Sequence, residues 1–173
     1  TSAQWSAASQ SDFESYDAIV VGDKDCSGPT ASDLKTLYDT RATWGPAVLG
    51  NVVVTGTDAI CHHGGTNSTT FYNNAVDWAS SGGATGGYFS SDWGRRGYDY
   101  LSTMGSWGST TDHGDTVYVT DTTHDVMSGI STSGMNGWGN TYHASITAYP
   151  SDFDVIAVKG SSASGDAMVV VRD

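Results

Sequence analysis

Two segments of this chain share one pattern, and that pattern limits the fold more than any other feature. Ala18-Ile-Val-Val-Gly-Asp23 leads to Cys26, and Val52-Val-Val-Thr-Gly-Thr-Asp58 leads to Cys61; the chain has no other cysteine. Each segment is a short β-branched run stopped by Gly and Asp, the pattern of a buried strand entering a loop. If the two runs are neighbouring parallel strands, both cysteines lie on loops at the strands' carboxyl ends, the side on which open α/β sheets build their sites. A Cys26–Cys61 disulfide is then expected. It would imply an oxidising, extracellular location and would deprive Cys61 of any role as a nucleophile.

The rest of the chain extends the alternation. A weak helix is expected from Ala3 to Phe13. Thr30-Ala-Ser-Asp33 reads as a capping box with Asp in place of Glu, followed by Leu34, Leu37 and Tyr38 at helical spacing. A third helix, from about Ser68 to Ala79, presents Phe71, Tyr72, Ala75, Val76 and Ala79 on one face and stops at Gly82-Gly83. Gly86–Ser90 reads as a third strand, Tyr98–Met104 as a short helix and Thr116–Thr120 as a fourth strand. Beyond a turn-rich stretch, Ala144–Tyr149, Phe153–Lys159 and Ala167–Arg172 read as antiparallel strands. The expected fold is a single α/β domain over residues 1–173, a three-layer sandwich with a mainly parallel sheet and a more antiparallel C-terminal part. Because the chain opens on a helix, a strand before Ala18 is missing or supplied by another segment.

Charge narrows the partners. The net charge is −12 with only seven Lys and Arg, which lacks the cationic footprint that nucleic acids or anionic membranes require. No apolar run approaches the ~20 residues that span a bilayer. The opening residues also lack a basic segment followed by an apolar one, as expected of a processed chain or of one domain of a larger protein.

Tyr16-Asp-Ala-Ile-Val-Val-Gly-Asp23, Gly50-Asn-Val-Val-Val-Thr-Gly-Thr-Asp58 and His124-Asp-Val-Met-Ser-Gly-Ile130, with the later Trp138 and His143, resemble extracellular bacterial domains of the class I glutamine-amidotransferase-like, flavodoxin-like superfamily. The likeness is to the trehalose-utilisation-protein-like branch, and it implies a flavodoxin-like sheet. Catalytic members place a cysteine on a tight strand-to-helix elbow, with a histidine and an acid supplied from later in the chain. Here the elbow reads Gly56-Thr57-Asp58-Ala59, with no thiol, and Cys61 lies too late. The resemblance therefore implies a non-catalytic domain. A hydrolase or amidotransferase-like alternative would have to use Thr57, Asp58, His62 and His124.

Other constellations offer further candidates. Cys61-His62-His63 carries good transition-metal ligands, which His113, His124 or His143 could join from other loops. Asp23 and Asp25, with Asp58, are oxygen ligands at strand ends, so Ca²⁺ is a candidate ion although no cofactor is expected. Asp92, Asp112, Asp115 and Asp121 are read first as caps of helices and turns. Six Trp and nine Tyr are many for this length. Trp44, Trp78 and Trp138 are assigned to the core. Trp93, Tyr98 and Trp107, with the basic doublet Arg95-Arg96, form the candidate binding surface. The reading is of a secreted recognition or structural module that binds a polysaccharide or a protein, including another copy of itself. A filament or adhesin subunit remains a third alternative.

Overall fold

The computed structural model describes residues 1–22, 29–61, 65–91 and 97–173. Local sequence accounts for the helices. The first expected helix is two, α1 (Ser2–Ala7) and α2 (Gln10–Phe13), because Ala8 turns extended and Ser9 starts a new capping box with Asp12. The Thr30–Asp33 box is present at α3 (Ala31–Asp39): the Asp33 N–H donates to Thr30 Oγ1 and the Thr30 N–H to Asp33 Oδ2, each at 3.1 Å. A short α4 (Arg41–Trp44) follows. The longest helix, α5 (Thr66–Ser80), buries Phe71, Ala75 and Ala79 at four-residue spacing. It gives way to a turn in which Gly83 takes φ +72°, a conformation glycine adopts without cost.

Among the described residues eight strands form one mixed sheet. β1 (Ala18–Val21), β2 (Val52–Thr55) and β3 (Gly86–Ser90) are parallel, with β3 between the other two. The two rhyming strands are thus not neighbours. The crossover from β1 to β2 passes over the place of β3, and the crossover from β2 returns to fill it. Right-handed connections running in opposite directions put their helices on opposite faces. One cluster joins Phe13, Leu34, Leu37 and Trp44 to Ile19, Val21, Val52, Val54, Phe89 and Val170. The other joins Phe71 and Ala75 of α5 to Val53, Tyr88, Ile156, Val169 and Val171. The period-two alternation of Val52, Val53 and Val54 between the clusters is that of a strand covered on both sides.

The remainder is antiparallel: β4 (Gly108–Gly114), β5 (Val117–Val119), β6 (Tyr142–Ala148), β7 (Asp154–Lys159) and β8 (Ala167–Arg172). The sheet order is β1-β3-β2-β8-β6-β4, and β7 pairs with both β8 and β5. β8 pairs with β2 through Val169–Arg172, and two residues on, at Ala167, its partner becomes Ile146 of β6. β6 therefore takes over where β2 ends. β4 went unrecognised in sequence because Gly-Ser-Thr-Thr-Asp-His-Gly has no apolar residue. The helix expected over Tyr98–Met104 is only a 3-10 turn at Ser102–Met104. Trp44 is fully buried and Trp138 is 6% exposed, whereas Trp78 is partly buried against the α5-side cluster.

Candidate functional site at the strand ends

The carboxyl ends of the parallel strands carry an unusual density of buried polar side chains: Thr55, Thr57, Asp58, Ser90 and Ser91, with Thr141, His143 and Ser145 opposite them. Their burial follows from the exchange of β2 for β6. The Gly56 N–H still donates to Met168 on β8 at 2.8 Å, but the His143 N–H then donates to the Gly56 carbonyl at 3.2 Å and the Asp58 N–H to the Thr141 carbonyl at 3.0 Å. Thr57 and Tyr142 form an isolated antiparallel bridge. The elbow Gly56-Thr57-Asp58 is thus sealed as if it were one more strand. A Cβ at Gly56 would collide with the Ala144 carbonyl of β6, so only glycine permits the approach.

Within this seam each polar group has a partner. Thr57 Oγ1 lies 2.7 Å from Thr55 Oγ1, which also accepts the Thr57 N–H at 3.0 Å. The Ser91 hydroxyl donates to the Thr55 carbonyl and the Ser90 hydroxyl to the Thr57 carbonyl, at 3.0 and 3.4 Å. Asp58 Oδ1 accepts from the Cys61 N–H at 3.4 Å, and Asp58 Oδ2 stands 3.5 Å from His143 Nδ1, with both side chains buried. The ring of His113, exposed on β4, meets that of His143 edge-on with centroids 5.1 Å apart. Upstream of His143, Asp115 Oδ1 accepts the N–H groups of Asn140 and Thr141 at 2.5 and 2.9 Å, fixing a turn in which Asn140 adopts φ +84°.

Beside the seam, Asp112 pairs with Lys159 and accepts the Ser145 hydroxyl at 3.0 Å. The Lys159 ammonium, ahead of the Ser145 hydroxyl, holds the Asp112 carboxyl below its ordinary range and is itself raised in return. Burial pushes the nearby Tyr142 phenol up. Asp121 accepts the Thr123 hydroxyl and N–H, which lower its pKa. Asp112, Asp115 and Asp121 therefore act in pairing and turn capping, the structural role the sequence suggested for them.

The structure brings Thr57, Asp58 and His143 together and sets His124 apart. His124 caps the 3-10 turn Asp125–Met127 by accepting the Val126 N–H at 3.2 Å, and its ring packs on Trp78 at 4.8 Å. It shares a cavity of about 290 Å³ with Asp121, Asp154 and Asp173, at the end of β8 remote from β6. Tyr98 and Trp107 are half-buried, Tyr98 against Tyr38 and Trp107 edge-on against Phe153 at 4.9 Å. Asp23, Asp25, Cys26, His62, His63, Asp92, Trp93, Arg95 and Arg96 lie outside the described residues. Cys61 is 6% exposed, and no cysteine is free among the described residues. Nor does any group of three or more His, Cys, Asp or Glu among them have metal-site geometry. No helix among them is long and apolar enough to cross a membrane.

The residue that sequence reasoning undervalued is His143, named beside the His124 motif and as a possible metal ligand from another loop but not as a partner of the elbow. Its strand, Tyr142–Ala148, was expected to start two residues later, which left the histidine in a loop. No family model, curated protein or solved structure matches the chain.

Proposed function

We propose that this chain is a secreted, non-catalytic recognition module of three-layer, flavodoxin-like architecture whose partner is a polysaccharide or a protein, a second copy included. The observation that carries the reading is the sealed elbow. Where catalytic relatives of the resembled superfamily expose a nucleophile, Thr57 and Asp58 are 0% and 2% exposed, and the Thr57 hydroxyl is engaged by Thr55. An attacking group needs access to substrate and a base within hydrogen-bond reach. This hydroxyl serves the fold instead. The opposed apolar clusters support the three-layer arrangement, and a Cys26–Cys61 disulfide agrees with Cys61 not being a free thiol. With β3 between them, β1 and β2 are about 10 Å apart at two strand spacings, a gap that two short loops can close.

The recognition surface is assigned to Trp93, Arg95, Arg96 and the outward parts of Tyr98 and Trp107. The test is retention on immobilised polysaccharides, with self-association read by analytical ultracentrifugation. Since an aromatic anchor commonly contributes ~2 kcal/mol or more, Trp93→Ala is expected to weaken the interaction tens of times without lowering the unfolding temperature. Undiminished binding by Trp93→Ala would move the surface elsewhere. The second reading, a hydrolase, is favoured by one observation, the Asp58–His143 pair, which has the acid–histidine form of catalytic dyads.

A further inference from the structure

We propose that Asn136-Gly137 is a site of spontaneous deamidation that the fold holds shut, and that its reaction, once the 3-10 turn Thr132–Met135 lifts from β5, unlatches the β5 edge for good. Among the asparagines of the chain, Asn136 alone precedes a glycine. The sequence matters because the side-chain amide of asparagine is attacked by the backbone nitrogen of the next residue, and a glycine there, with no Cβ, neither hinders the approach nor restricts the backbone rotation it needs. Water is the only co-reactant. The Gly137 nitrogen gives its proton to solvent base and bonds to Asn136 Cγ, the Cγ–Nδ2 bond breaks, and Nδ2 takes up a proton and leaves as ammonia. Water then opens the five-membered imide at either carbonyl. One opening gives aspartate, the other isoaspartate, in which the main chain runs through Cγ.

In the folded chain both ends of the reacting amide are held. Asn136 Oδ1 accepts the Val117 N–H at 2.6 Å, and Nδ2 donates to the Thr132 carbonyl at 2.8 Å. The attacking Gly137 N–H is turned to the Asp115 carbonyl, at 3.4 Å. Ring closure must bring the Gly137 nitrogen round beside Cβ, whereas Asn136 is extended, with ψ 155°. These contacts form one latch on the outer edge of β5, because Thr132 Oγ1 accepts the next outward N–H, that of Val119, at 3.2 Å. Asn136 is half-buried and Gly137 exposed, so water reaches the amide as soon as the turn lifts. Such a local opening requires far less than global unfolding. Neither product keeps the Nδ2 donor, and each adds a carboxylate at residue 136 near the Thr132 carbonyl, so the latch cannot re-form. Isoaspartate also lengthens the main chain by one atom before Trp138, whose N–H is held by Thr141 Oγ1 at 3.3 Å at the entry to β6. The result is a one-way clock on the segment that leads to the sealed elbow, and it is independent of the recognition surface proposed above.

The test is ageing of the full chain in mildly alkaline buffer, folded and in urea, with residue 136 followed by peptide mapping and isoaspartate measured by enzymatic methylation. Deamidation in urea is expected to fall on Asn136, and in the folded chain to run at least about tenfold slower, since two hydrogen bonds must open first. Thr132→Val loosens the latch at Val119 without altering Asn136. It should speed the folded-state reaction about fivefold while leaving the rate in urea as in the wild type. In protein aged in urea and refolded, the Val117 amide should exchange hydrogen faster than in fresh protein taken through the same cycle, with Val53 of β2 unchanged. Equal rates in the folded and unfolded chain, a folded Thr132→Val that reacts no faster than the wild type, or Val117 exchange unmoved by ageing would each overturn the proposal. The first and third readouts need no variant, so they decide the matter even if Thr132→Val does not fold.

Discussion

The parallel strands β1, β3 and β2 and the antiparallel strands β4 to β8 bury their backbones by different means, and the difference locates the site. Parallel strands need helical crossovers, and β2 and β3 are accordingly buried along their whole length, whereas β1 at the edge leaves Val20 exposed. Antiparallel strands need only turns, so β4 can stand at an edge with exposed Thr110, Thr111 and His113. The β5 edge is protected by side chains: Asn136 Oδ1 accepts the Val117 N–H at 2.6 Å and Thr132 Oγ1 the Val119 N–H at 3.2 Å. Where the two regimes meet, at the β2-to-β6 exchange, Tyr142 and Ile146 carry the two apolar clusters onto β6, and polar side chains are buried between them. Threonines, serines, Asp58 and His143 fill that seam. Strand carboxyl ends are the usual place for a ligand in such folds; here β6 occupies the one that follows β2.

The same substitution made in both regions should separate them most sharply. A Cβ at Gly86 of β3 would run into the Ala79 and Asn51 carbonyls, whereas one at Gly114 of β4 meets first the far end of the Tyr142 side chain. Gly86→Ala is expected to cost about 3 kcal/mol or more and Gly114→Ala about 1 kcal/mol, both read from urea unfolding. Comparable losses would show that the parallel region is no more tightly packed than the edge. At the seam, Asp58→Ala removes the acceptor of the Cys61 N–H and the carboxylate facing His143. A loss of about 1–3 kcal/mol is expected, and a neutral result would mean that the seam is not structural. At the β5 edge, Asn136→Ala leaves the Val117 N–H to find water, with an expected loss of about 1 kcal/mol.

The smallest effect concerns acid. The Asp112 carboxyl is held low chiefly by Lys159, so it binds protons more weakly folded than unfolded. Its contribution is therefore complete above the unfolded carboxylate pKa of about 3.9 and is lost as pH falls through the lower folded value. Lys159→Met should flatten that part of the acid limb while leaving the parts due to Asp33 and Asp121, whose hydroxyl partners are Thr30 and Thr123. Urea midpoints from pH 7 to pH 2 provide the check. An unchanged limb in Lys159→Met would remove this pair from the account.

Most of the parallel region was legible in the sequence. β1, β2, β3 and β8 fall on the expected residues, and α5 runs from Thr66 to Ser80 because Phe71, Ala75 and Ala79 set its buried stripe. The Thr30 box was readable because capping is local chemistry. Strand order was not: nothing in Ala18–Val21 or Val52–Thr55 tells that Gly86–Ser90 will come between them. β4 was invisible because an edge strand exposed to water needs no apolar alternation. Of the candidate site, the elbow at Thr57 and Asp58 was legible from the strand that feeds it. Its partner was not, because His143 is brought there by long-range pairing of β6 and by a bulge in β4, neither of which leaves a periodic mark.

β6 seals the elbow, and under the proposed function Thr57 and Asp58 hold the fold together rather than act on a substrate. The most direct measurement is intact-mass spectrometry of the native protein after incubation with an acylating active-site probe. An unmodified mass is expected for both the wild type and Thr57→Ala. A stoichiometric adduct mapped to Thr57 in the wild type, and absent from a Thr57→Ala variant that unfolds at the wild-type temperature, would contradict it.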